Sequence, residues 1–254
     1  MAREAKKSGG VRWRLWLGLA AAACLCASTG VAALKVRRYA LTGARFTLSA
    51  SRPDALKIQG RANGSEAKVR RVFAADFGGS VFAIPLAERR RRLLAIDWVE
   101  DASVSRIWPD RLLVRIRERR PVAFVPLRTG AVLIDADGVL LEPPARAQFA
   151  FPVLLGVRED ESEAARRERV AAFLRFQKDM GGLAKDVSEV NVADPDDLRI
   201  VARVDGRALE LLMGGGDFAR RYGNFLNHSA EAQKGAPEAV TFDLRWDGHI
   251  VAKR

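Results

Sequence analysis

A chain of 254 residues with 48% hydrophobic content is long enough to bury one or two cores, which excludes disorder throughout. Its formal charge of +12 raises the question of a nucleic-acid partner. Lys and Arg are interleaved with Asp and Glu throughout, and no aromatic residues lie among the densest run, Arg89 to Arg92, to stack bases, so nucleic-acid binding is not expected. That run sits between Leu86 and Leu93-Leu94 and reads as the solvated face of an amphipathic helix.

In chain order, residues 1–14 form a basic tail carrying Arg3, Lys6, Lys7, Arg12 and Arg14. Residues 15–34 (LWLGLAAAACLCASTGVAAL) are twenty without a charge, and as a helix they cover about 30 Å, the thickness of a hydrocarbon core. Trp13 and Trp16 stand near one interface and Lys35, Arg37 and Arg38 beyond the other, so a lipid bilayer is expected around this helix. A cleaved signal peptide is the competing reading, but apolar character runs on to Leu34, past the usual h-region. The charge balance across the span barely chooses an orientation; the short basic tail favours a cytoplasmic N-terminus with the remainder exported. Both cysteines, Cys24 and Cys26, lie inside the span, so the rest of the chain holds together by packing alone.

Residues 35–53 read as a polar, irregular linker, or toward Pro53 as an irregular lead-in strand. A first domain over 54–122 follows in the order β, α, α, β, β. Its strand Ala55 to Gly60 leads to a helix started by Ser65-Glu66 and carrying Val69, Val72 and Phe73. Gly78-Gly79 ends that helix, and Pro85 opens a second that presents Leu86, Leu93 and Leu94. A hairpin turning at Pro109-Asp110 closes the unit.

Residues 123–254 alternate short strands with two helices, about Ser162 to Lys178 and about Asp217 to Asn227. The last strand is read from Val240 to Trp246, ending near Ile250. The whole is α+β, with a mostly antiparallel, β-rich second domain.

Catalysis, a cofactor and a small-molecule substrate are not expected. His228 and His249 sit in no ligand motif, and no nucleophile stands on a glycine-flanked turn. Gly214 to Gly216 precedes a helix, but Asp217 stands where it would cap that helix and repel a phosphate. The cluster Asp194, Asp196 and Asp197 lacks calcium-loop spacing and reads as a turn.

The stretch from Leu56 to Val122 resembles the POTRA domain of the FtsQ/DivIB family of bacterial division proteins. The resemblance rests on LKIQG, GGSVFAIPL, RLLAIDWVEDASVSRIWPDRLLVRIRERRPVA and the following DADGVLLEP. It extends over nearly the whole chain, more weakly between Pro144 and Lys185. It implies a type II protein of the inner membrane with periplasmic C-terminal domains, a scaffold that recruits and bridges division proteins, among them small coiled-coil membrane proteins such as FtsB and FtsL. It also implies that a partner strand adds at the terminal strand motif TFDLRWDG, so that Thr241, Asp243, Arg245, Trp246, Gly248 and Ile250 are the expected partner-binding residues. Trp246 shares a face with Phe242 and Leu244 by strand alternation and caps the core instead, unless Asp247-Gly248 introduces a bulge. The rival reading, a POTRA-bearing transport or assembly component, requires a β-barrel of many alternating strands after the first domain, for which this chain is too short.

Overall fold

The structure, a computed structural model, describes residues 10–145 and 147–253. Arg3, Lys6 and Lys7 of the basic tail lie outside the described residues.

Helix α1 runs from Gly10 to Thr42, and its part Trp16–Thr42 contains an 18-residue window of mean hydropathy 1.9 with none of it buried, long and apolar enough to cross a membrane. It extends past the expected span because nothing breaks the helix before Gly43, whose amide donates to the Tyr39 carbonyl (2.8 Å). The segment expected to be an irregular linker therefore begins as eight residues of helix. It ends packed: Phe46 and Leu48 are buried, and Thr47 bridges to Ser80.

The chain divides into two compact units, the first comprising residues up to Gly60, Glu66–Leu93 and Ala102–Ile116. A three-stranded sheet has the order β1 (Leu56–Gln59), β3 (Arg111–Glu118), β2 (Val99–Ile107), with β1 parallel to β3 in the register Leu56 to Leu112. Helices α2 (Glu66–Val72) and α3 (Leu86–Leu94) contribute Val69 and Leu93 to the buried apolar set, with Phe73, Leu112 and Val114. Helix α2 stops at Val72, ahead of Gly78-Gly79, and a short 3₁₀ turn, Ala74–Asp76, follows it. Gly60 has φ +82°, and a Cβ there would stand 2.0 Å from the Ile116 carbonyl oxygen, so only glycine fits.

The expectation for the arginine run needs correction. Arg91 and Arg92 are exposed, but Arg89 is buried and forms a two-pronged pair with buried Asp76 (Nε–Oδ2 2.6 Å, Nη2–Oδ1 2.8 Å). Arg92 lies three positions after Arg89 but pairs with Glu88, whereas Arg89 takes the carboxylate offered by the turn Ala74–Asp76.

The second unit contains a nine-stranded sheet in the order β12-β11-β10-β9-β8-β7-β4-β5-β6: β4 Pro121–Leu127, β5 Gly130–Asp135, β6 Leu140–Leu141, β7 Val153–Leu155, β8 Val187–Asn191, β9 Leu198–Val204, β10 Arg207–Gly214, β11 Thr241–Asp243 and β12 Val251–Lys253. Five of the eight pairings are antiparallel; β4–β7, β7–β8 and β10–β11 are parallel. Helices α4 (Glu163–Met180) and α5 (Phe218–Gly235) pack Phe173, Phe176, Tyr222 and Phe225 into the core with Phe242, Leu211 and Ile200. A smaller apolar cluster gathers Trp98, Leu133 and Leu141, where the Trp98 indole donates to the Glu142 carbonyl (2.8 Å) and stacks near Phe149.

Glu118 accepts from three successive amides, Ala62, Asn63 and Gly64, at 2.8–2.9 Å, and so holds their loop. Glu118→Ala leaves these amides to water and is expected to lower stability by about 1–2 kcal/mol, read as a fall in thermal midpoint; Glu118→Gln, which keeps an acceptor, should lose less. Equal losses in both variants would show that the amides do not depend on the carboxylate.

Three expectations for this unit are corrected. Helix α5 continues eight residues past Asn227, to Gly235, because Ser229 finds its own partner, Asp205, at 2.9 Å and Ala232 packs against the core. Asp217 does not cap it: at φ 55° its carboxylate turns to Arg220, and Asp179 of α4 caps the helix instead, accepting from the Ala219 amide at 3.1 Å. The last strand is not continuous from Val240 to Trp246. It stops at Asp243, whose side chain accepts from the Arg245 amide (3.1 Å), a local turn that competes with the ladder.

Candidate functional site

The expected partner-binding residues fall into three settings around the outer end of the large sheet. Thr241 and Asp243 belong to β11, which lies between β10 (Glu210 opposite Thr241, Leu212 opposite Asp243) and β12 (Lys253 opposite Thr241, Val251 opposite Asp243). The outer edge is therefore β12, which has no strand neighbour on its far side among the described residues. Thr241 donates its hydroxyl to Glu210 (3.0 Å) and is occupied within the sheet.

Asp243 and Arg245 form an ion cluster. Arg245 donates to the buried Asp243 carboxylate through Nε (2.9 Å) and Nη2 (2.7 Å), and through Nη1 to Asp197 (3.0 Å); Lys253 of β12 reaches the same Asp243 oxygen at 3.2 Å. The Arg245 guanidinium foremost, helped by its backbone amide and by Lys253, holds the Asp243 carboxyl well below the usual carboxylate range despite burial. Arg245 is raised above its ordinary value by Asp243 and Asp197. The cluster ties three chain segments together: the turn after β8, the end of β11, and the edge strand.

Trp246, Gly248 and Ile250 lie in the loop between β11 and β12, facing α5 across a shallow cleft that Asn224 and Asp247 also line. Gly248 has φ +74° in this turn. The loop is fixed by Arg220 of α5, which binds Asp247 (2.8 Å) as well as Asp217 (2.9 Å), and these carboxylates, Asp247 first, raise its pKa. Phe242 and Leu244 are buried and Ile250 is half-buried, but Trp246 is 64% exposed. The turn has carried its ring off the core, so the capping alternative does not hold. Val240 and Val251 are also exposed, leaving three large apolar side chains outward at this end of the sheet.

Sequence reasoning placed the site on one strand and missed Lys253, Val251 and Asp197. The first two were signalled: Asp247-Gly248 is a hairpin dipeptide, and Ile250 to Lys253 after it reads as a short returning strand. The role of Asp197, 48 residues before Arg245, carries no local signal.

The family model for the POTRA domain, FtsQ-type, matches residues 51–119, and the model for the C-terminal domain of cell division protein FtsQ/DivIB matches residues 123–245. A cell division protein FtsQ from Koribacter versatilis (strain Ellin345) is 34% identical over 213 residues, which cover 82% of this chain and 61% of that protein. The chain belongs to the FtsQ/DivIB family of cell division proteins. An FtsQ from Agrobacterium fabrum (strain C58 / ATCC 33970) is 28% identical over 168 residues, covering 59% of this chain and 52% of the relative. The chain thus spans half to three-fifths of the length of these FtsQ relatives. A solved structure of the major extracytoplasmic domain of DivIB from Geobacillus stearothermophilus covers 47% of this chain at 19% identity with a TM-score of 0.27. Among the described residues α1 is the one helix long and apolar enough to cross a membrane, which suits a membrane protein.

Proposed function

We propose that this protein is a non-enzymatic scaffold of the division machinery at the septum, bridging and recruiting other membrane division proteins without cofactor, small-molecule substrate or nucleic acid. In this reading it is a type II protein of the inner membrane. Residues 1–14 stay in the cytoplasm, and the POTRA domain (54–122) and the β-rich domain (123–254) lie in the periplasm. Its partners are membrane proteins of the FtsB and FtsL kind. One observation carries the reading: among the described residues β12 ends the large sheet with an open edge, and exposed Trp246, Val240 and Val251 stand beside it. An open edge offers amides and carbonyls to an incoming strand, and the apolar side chains add specificity. Trp246 and Ile250 act as anchors, whereas Thr241, Asp243, Arg245 and Gly248 hold the edge in place.

The test is binding of a labelled peptide from the extracytoplasmic end of the host's FtsB-like protein to the full chain in detergent. Trp246→Ala is expected to weaken binding by about 2 kcal/mol, roughly thirtyfold, and deletion of Val251–Lys253 to abolish it. Absence of binding by the folded wild type, or unchanged affinity in Trp246→Ala, would remove the edge as the site.

A further inference from the structure

We propose that the exposed rings of Tyr39 and Trp108 in the first unit, held by buried Phe46 and half-buried Phe82, form a contact with the headgroup layer of an anionic bilayer, so that this unit lies against the membrane surface. The inference rests on α1 spanning that membrane. The rings meet edge to face in a continuous chain: Tyr39–Phe46 at 5.6 Å, Phe46–Phe82 at 5.2 Å, Phe46–Trp108 at 5.4 Å and Phe82–Trp108 at 5.6 Å between centroids. Yet Trp108 remains 64% exposed and Tyr39 is exposed too. Held by Phe46 and Phe82, the Trp108 indole still keeps most of its surface outward among the described residues.

Depth identifies the occupant. Tyr39 lies five helical residues past Leu34, about 8 Å along the axis. The headgroup zone of one leaflet is about 5–8 Å thick, so the aromatic chain begins at its outer level. Tyr and Trp favour that level because each has an apolar body and a polar tip.

Hydrogen bonds tie the unit to the end of α1. The Ser80 hydroxyl donates to the Ala40 carbonyl on α1 (2.7 Å), Thr47 bridges to Ser80, and the Leu48 amide donates to the Gly79 carbonyl (2.9 Å). Charge complements the surface: Lys35, Arg37 and Arg38 on the last turns of α1, and Arg45 beside the Phe46 ring (5.7 Å), attract anionic lipid, each by about 1 kcal/mol near the surface.

The full chain is reconstituted in vesicles of zwitterionic lipid, with or without an added fraction of anionic lipid, either unlabelled or brominated on the acyl chains. Tryptophan emission of the wild type is compared with that of Trp108→Phe and Trp16→Phe, so that each difference isolates one indole; phenylalanine preserves the ring contacts. With anionic lipid present, the Trp108 difference signal is expected to fall roughly twofold on bromination and to recover in Arg45→Glu. A Trp108 signal untouched by bromination while that of Trp16 is quenched would overturn the surface contact and leave the span intact. If neither indole is quenched, the span and the contact fall together. Equal quenching without anionic lipid would overturn the charge component.

Discussion

Arg89→Ala is expected to destabilise the first unit by about 3–5 kcal/mol, enough to unfold a domain of ordinary stability, while Arg91→Ala on the same helix should stay within about 0.5 kcal/mol. The difference follows from burial. Both partners of the Arg89–Asp76 pair are removed from water and meet through two short hydrogen bonds, and Asp76 accordingly raises the pKa of the Arg89 guanidinium. Removing the arginine leaves a carboxylate in a place that cannot solvate it, and the cost is that stranded charge more than the lost attraction. The double variant Arg89→Leu/Asp76→Leu should therefore recover much of the loss. Thermal unfolding of the full chain in detergent, with amide exchange resolved to the first unit, measures all three. A double variant as unstable as Arg89→Ala would show that the pair is needed for itself.

Asp243→Ala is expected to cost about 2–4 kcal/mol in the second unit and to free the edge strand, because four hydrogen bonds converge on this carboxylate and one comes from Lys253 of β12. The wild type should show the same loss in acid. The folded pKa of Asp243 lies below the unfolded value of about 3.9, so its contribution is complete above that value and disappears as pH falls through it toward the folded pKa. Asp243→Asn, measured by thermal unfolding from neutral pH to about pH 3, should start lower and decline less steeply than wild type. Parallel curves for the two proteins would assign the acid sensitivity to other carboxylates.

The order of elements and the α+β class were legible because they rest on apolar periodicity, which is local. The strand read over Ala55 to Gly60 is β1 nearly to its ends, and the helix read from about Ser162 is α4, with the Ser162 side chain accepting from the Ala165 amide. Failures came where one distant side chain decided the outcome. Asp76 turned Arg89 inward, Asp179 replaced Asp217 as the cap of α5, and Asp197 helped fold the chain after Asp243 into a loop. The candidate site shows both kinds. The exposure of Trp246 depended on a turn whose dipeptide, Asp247-Gly248, was visible, but reading one strand through it concealed β12 and moved the edge by a full strand.

The parallel pairing of β1 with β3 has a consequence in time. The first strand to leave the ribosome has no neighbour until its partner arrives: Leu56 waits for Leu112, 56 positions later. At about 5–20 residues per second that is an interval of about 3–11 s, during which LKIQG remains an open ribbon following a finished membrane helix. The helix holds one end of the ribbon at the bilayer, so the search for β3 is a tethered one, and the small sheet closes only once the chain beyond Glu118 is being made.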